Sequence, residues 1–104
     1  MELYQKIERI GPARFEAEIK LVDDAGTEKV MTRTYERCNS IFVAYKSLIT
    51  ALRGLHDCTI TLHTNHHQLS VELFHERAKN TTLANMLDDI TAINNLEIKN
   101  GKGE

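Results

Sequence analysis

Between Arg14 and Val22 apolar residues fall at every second position. Phe15, Ala17, Ile19 and Leu21 share one side, and Arg14, Glu16, Glu18 and Lys20 share the other. Alternation of this kind predicts a half-buried β-strand. Asp23, Asp24 and Gly26 supply turn chemistry after it, and the β-branched run TEKVMTRTYE reads as the hairpin partner. Before it, LYQKIERI at 3–10 alternates less regularly and is broken by Gly11-Pro12.

From Asn39 the period lengthens. Ile41, Tyr45, Leu48, Ile49, Leu52 and Leu55 recur at spacings of three and four, the apolar stripe of a helix, with Asn39 or Ser40 as its N-cap. CTITLHT then returns to strand, and its lack of long charged side chains suits an interior sheet position. HQLSVELFHERA predicts a second helix with Leu69, Leu73 and Phe74 as its apolar edge. After a cap at NTT, a third stripe follows at Leu83, Met86, Leu87, Ile90 and Ile93. Leu96–Lys99 reads as a last short strand. The expected class is α/β with a mixed sheet, in the order β-β-β-α-β-α-α-β. One domain over residues 1–99 and a flexible tail at 100–104 are expected.

A net charge of −2 gives the whole molecule no attraction for nucleic acid or anionic membranes, so any such contact needs a local patch. No apolar run approaches the roughly 20 residues that span a bilayer, and MELYQKIERI lacks the apolar centre of a signal peptide. A cytoplasmic setting without a membrane partner is the expectation. Cys38 and Cys58 then read as reduced packing residues.

The element order, together with VAYKSLITAL at 43–52, TNHHQL at 64–69 and IGPARF at 10–15, resembles the ribonuclease H-like family. The resemblance implies three antiparallel strands, a helix, a parallel strand, further helices and a fifth strand. It also implies a site where several carboxylates hold two divalent cations that activate water against a phosphodiester. At the positions matching the family's helix Glu and fourth-strand Asp, this chain has Ala44 and Asn65. The first strand offers only Glu8, and no terminal helix follows the fifth strand. The resemblance therefore implies a divergent, catalytically inactive member.

Other candidate chemistry is sparse. His63, His66 and His67 are the best metal candidates. Their placement on a strand end and a helix start favours polar histidines over a zinc site, so no metal or other cofactor is expected. Asp23 and Asp24 read as turn residues, Asp88 and Asp89 as a solvated helix face, and Glu72 with Glu76 as surface. Phe15, Phe42 and Tyr45 are assigned to the core. Arg33 and Arg37, sharing a surface with Lys46 or Arg53, and Arg77 with Lys79 are candidate phosphate contacts. Glu28, Glu36 and Glu76 are expected to dilute their field.

The leading expectation is a noncatalytic interaction domain that engages a protein partner or a second copy. The exposed edge of strand 28–36 would serve this, with Lys29 and Arg33 limiting indiscriminate pairing. The first alternative is a binder of duplex or hybrid nucleic acid. The second is a metal-dependent nuclease in which Glu8, Asp57 and Asp88 rebuild an acidic site.

Overall fold

The structure, a computed structural model, describes residues 1–75 and 81–101. Eight elements follow in order: β1 (Glu2–Gly11), β2 (Arg14–Val22), β3 (Glu28–Glu36), α1 (Ser40–Leu52), β4 (Cys58–Thr64), α2 (His67–Phe74), α3 (Thr81–Ile93) and β5 (Leu96–Asn100). They form one five-stranded sheet in the order β3-β2-β1-β4-β5. β1, β2 and β3 are antiparallel, while β4 runs parallel to β1 and β5 parallel to β4. The two parallel steps are made by helical crossovers, as parallel neighbours require. The fold class and element order match the alternation and stripes read from the chain.

Each turn has a visible cause. Asp23 Oδ1 accepts from the backbone N–H groups of Ala25 and Thr27, both at 2.9 Å, and closes the β2–β3 hairpin. Asn39 caps α1 by accepting from Phe42 N at 3.0 Å. At the β1–β2 turn the register shifts between Arg9 and Gly11, and Ala13 is held at φ +51°.

All three helices lie on one face of the sheet. Leu3, Ala17, Ile19, Leu21, Ile60 and Leu62 are buried there beneath Tyr45, Leu48 and Leu52 of α1, with Leu69 and Leu87 from the later helices. On the opposite face Tyr4, Lys6, Glu18, Val30, Thr59, Glu97 and Lys99 are exposed, and no helix among the described residues covers them. None of the described helices is long and apolar enough to cross a membrane.

Two apolar assignments differ from expectation. Phe42 is 37% exposed because it points away from the sheet on α1, flanking the inward-facing Ile41 and Tyr45. Ile93 is 78% exposed, at the end of α3. Its neighbour Asn94 is buried instead, and its amide lies 3.4 Å from the Leu52 and Arg53 carbonyls. Those carbonyls at the end of α1 need donors, which an isoleucine cannot supply.

Candidate nucleic-acid interface

Ala44 and Asn65, set by the sequence resemblance against metal-binding acids, both contact Gln5 where β4 ends against β1 and the first half of α1. Ala44 is fully buried. Its carbonyl accepts from Gln5 Nε2 at 2.8 Å, and the same amide donates to Ser47 Oγ at 2.9 Å. Thr64 Oγ1 donates to Gln5 Oε1 and in turn accepts from His66 N. The Gln5 amide is thus fully engaged while only 3% exposed, as a buried polar group must be. Asn65 continues the ladder: its N–H donates to Gln5 O at 3.2 Å. Its side chain accepts from Ile7 N at 2.9 Å and donates to Ile7 O at 3.0 Å.

This cluster contains amides, hydroxyls and a methyl, but no carboxylate. Its donor set does not fit a pair of hard divalent cations, which favour anionic oxygen ligands. Gln5, which matters most to the cluster, is absent from the sequence-based candidates. The signal for it was an amide between Leu3 and Ile7 on the inward side of β1.

The substitute acidic set does not assemble. Glu8 projects from the helix-free face near the end of β1, and Asp88 is exposed on α3. Asp57 precedes β4 at the other end of the sheet, where its carboxylate accepts from Asn95 Nδ2 at 2.9 Å. Among the described residues no three of His, Cys, Asp and Glu are grouped to hold a metal ion. Glu8, Asp57 and Asp88 therefore do not converge on one site.

The histidines have separate structural tasks. His63 stacks on Tyr4 with ring centroids 4.5 Å apart, and its Nε2 lies 2.8 Å from Glu2 Oε1. This hydrogen bond holds the Glu2 carboxyl below its ordinary range. A Cβ at Gly101 would come within 2.4 Å of His63 Nδ1, so glycine permits the close approach. His66 caps α2: Nδ1 accepts from Leu69 N at 3.2 Å, and Nε2 lies 3.0 Å from Ser40 Oγ. Burial lowers the His66 pKa, with Glu72 opposing and His67 adding to the effect. His67 is exposed on the first turn of α2.

Glu72 corrects the surface assignment. It is 7% exposed and accepts from Tyr45 Oη and Gln68 Nε2, each at 2.9 Å. Burial and this contact raise the Tyr45 pKa. Glu76 lies outside the described residues, as do Arg77 and Lys79. The thiol of Cys38, just before α1, is pushed up by burial, the opposite of an activated thiolate, and both cysteines are free.

Strand parity sets Glu28 and Glu36 opposite Arg33, although Glu28 also lines the cavity beside α1 together with Lys29. Glu28 and Glu36 are bound across the hairpin, to Lys20 at 2.6 Å and to Arg14 at 3.1 Å. Strand alternation places those pairs on the helix-free face, while Lys29, Met31, Arg33 and Tyr35 turn toward α1. Arg37 follows β3 at φ +57°, next to the β1–β2 turn, where Cys38 N donates to Ala13 O. Arg9, Arg14 and Arg37 are exposed at the sheet end beyond Asn65, where Glu8 and Glu36 are exposed as well.

No protein-family model and no curated protein sequence matches the chain. Among solved structures the fold is similar to LC11-RNase H1 in complex with an RNA/DNA hybrid. The two share 17% identity over 95% of this chain and 83% of that one, with a TM-score of 0.73. It is also similar to RNase H1 from the halophilic archaeon Halobacterium salinarum NRC-1, at 16% identity over 96% and 85% of the two chains, with a TM-score of 0.66. The chain therefore has a ribonuclease H-like fold.

Proposed function

We propose that this domain binds duplex nucleic acid, in particular an RNA/DNA hybrid, without cleaving it. The reading rests on one observation above the rest. The fold aligns over 95% of its length with a hybrid-bound RNase H1, and Ala44 and Asn65, the positions that the sequence resemblance sets against metal-binding acids, are tied with Gln5 into a neutral hydrogen-bonded cluster. An uncharged floor presents no carboxylate repulsion to a phosphate backbone and offers no ligand set to a cation pair. Arg9, Arg14 and Arg37 at the same sheet end supply positive charge, with Arg14 partly offset by Glu36.

This order reverses the one drawn from net charge, which placed a protein partner or self-association first. A net charge of −2 is an average over two unlike faces. Glu16, Glu18, Glu28 and Glu36 belong to the helix-free face, so the average says little about the other one. The open edge of β3 supports pairing no more than an ordinary edge strand does.

The test combines binding and cleavage. A labelled RNA/DNA hybrid is expected to bind at low salt and to weaken steeply as salt rises, and R9E/R37E is expected to weaken it further. The same hybrid with Mg²⁺ or Mn²⁺ is expected to stay intact. Absence of binding at low salt rejects the binding half of the proposal. Cleavage abolished by chelation rejects the other half.

A further inference from the structure

We infer that Asn100 and Gly101 form a latent deamidation site that the fold keeps closed, and that isoaspartate formed there locks β5 out of the sheet. Asn100-Gly101 is the one Asn-Gly pair in the chain. Glycine has no side chain to hinder its own nitrogen, so in this dipeptide the backbone nitrogen attacks the preceding carboxamide most readily. In the reaction a hydroxide ion takes the Gly101 N–H proton, and the nitrogen bonds to Asn100 Cγ. The Cγ–Nδ2 bond breaks, and ammonia leaves with a proton drawn from water. Water then opens the succinimide ring. Attack at Cγ leaves aspartate, whereas attack at the main-chain carbonyl leaves isoaspartate, whose backbone runs on through Cβ and Cγ.

The folded chain denies each requirement of ring closure. Asn100 is the last residue of β5 and is paired with Leu62 of β4. An extended backbone turns the following nitrogen well away from the side chain, so bringing Gly101 N onto Cγ needs a large rotation about ψ. That rotation is opposed twice. Gly101 N donates to Leu62 O at 2.8 Å, which holds the proton that must leave. Gly101 itself is wedged against β4, where a Cβ built on it would lie 2.6 Å from Leu62 O and closer still to His63 Nδ1. His63 is fixed in turn by its stack on Tyr4 and its contact with Glu2.

The gate is β5 itself. It has five residues, lies at the sheet edge beside β4, and its inward Leu96 and Ile98 are only half-buried. A short edge strand with modest burial opens ahead of the whole domain. Once it is open, Asn100-Gly101 has the freedom of an unfolded chain. The aspartate product keeps the original backbone and can return to the ladder. Isoaspartate adds one carbon to the path from the Cα of residue 100 to Gly101 N, so Gly101 cannot reach both Leu62 O and its slot beside His63. A reversible opening thereby becomes irreversible. The inference does not depend on the nucleic-acid reading.

For the test, the chain is incubated at mildly alkaline pH, folded and in parallel unfolded in guanidinium chloride, and position 100 is followed by peptide mass mapping. Conversion is expected to be slower in the folded chain by on the order of tenfold or more. I98A, which loosens β5 without touching the Asn-Gly pair, is expected to convert faster than wild type when folded and at the same rate when unfolded. Equal rates for folded and unfolded wild type overturn the inference, as does a folded I98A rate no higher than wild type. Chains converted while unfolded are then refolded, and the two products are separated by chromatography, with N100D as reference. The aspartate product is expected to melt with N100D and the isoaspartate product below it. Isoaspartate chains that melt with N100D overturn the claim that β5 is locked out.

Discussion

The Asn65 carboxamide pairs with both backbone groups of Ile7, accepting from its N–H at 2.9 Å and donating to its carbonyl at 3.0 Å. It acts as one more peptide unit in the β4–β1 ladder, joined to β1 where β4 itself has ended. A carboxylate can make only the first of these bonds and would face the Ile7 carbonyl with its second oxygen. N65D is therefore expected to lower stability by about 1 kcal/mol at neutral pH, the exposed position allowing water to limit the loss. Below the ordinary carboxylate range the protonated acid regains a donor, so the deficit should shrink. Urea denaturation at pH 7 and pH 3.5, each against wild type at the same pH, checks this. An equal deficit at both values would show that the clamp is not what the substitution breaks.

His66 predicts a pH dependence of the wild-type chain. Its Nδ1 must be unprotonated to accept from Leu69 N, and burial lowers its pKa from the ordinary value of 6.5. The unfolded chain then takes up the proton first. The contribution is complete above about pH 6.5 and is lost progressively as pH falls toward the depressed folded value. In H66N the Asn can still cap the helix but cannot titrate. Thermal melts between pH 5 and 8 should show a shallower slope for H66N. A slope identical to wild type would remove His66 as the source.

The sheet and its order were readable because alternation in β2, the cap at Asn39 and the stripe through Leu48 agree with one another, a consistency that local pattern captures well. The departures share a cause. Gln5, Glu72 and Asn94 are polar residues whose burial depends on partners distant in sequence: Ala44, Tyr45 and Leu52. No periodicity announces such partners. The charge on β3 was only half legible for a related reason. Glu28, Arg33 and Glu36 lie close together in sequence, but Arg33 differs in parity from both acids, and a strand sends the two parities to opposite faces. The parity was visible in the chain. What it lacked was the position of α1, which decides which face the helices cover.

Ala13 offers a test of the β1–β2 turn. It adopts φ +51°, a left-handed conformation that L-residues other than glycine, asparagine and aspartate avoid, and its methyl is exposed, so little packing would be lost. A13G is expected to raise stability by about 0.5–1 kcal/mol, the strain relieved exceeding the entropy glycine adds to the unfolded chain. Chemical denaturation resolves a change of this size. A loss of stability would mean that the turn tolerates the conformation without strain.

Rebuilding the acidic site from this scaffold meets its largest obstacle at Ala44, not at Asn65. Ala44 is fully buried, and its carbonyl is held by the Gln5 amide, so a longer side chain has no open space there. A44E would place a carboxylate among Gln5, Ser47 and the core, combining overpacking with burial of a charge that no nearby cation neutralises. A destabilisation of at least about 3 kcal/mol is expected. If the family-like pocket instead formed, Mn²⁺ would recover much of that loss in A44E/N65D, because a bound cation stabilises the folded state in proportion to its occupancy. Melting A44E/N65D with and without Mn²⁺ separates the two outcomes, and no shift is expected. A rise of several degrees specific to the double variant would show that the neutral cluster is a recent veneer over a usable cation pocket, and would weaken the case for a domain settled on binding alone.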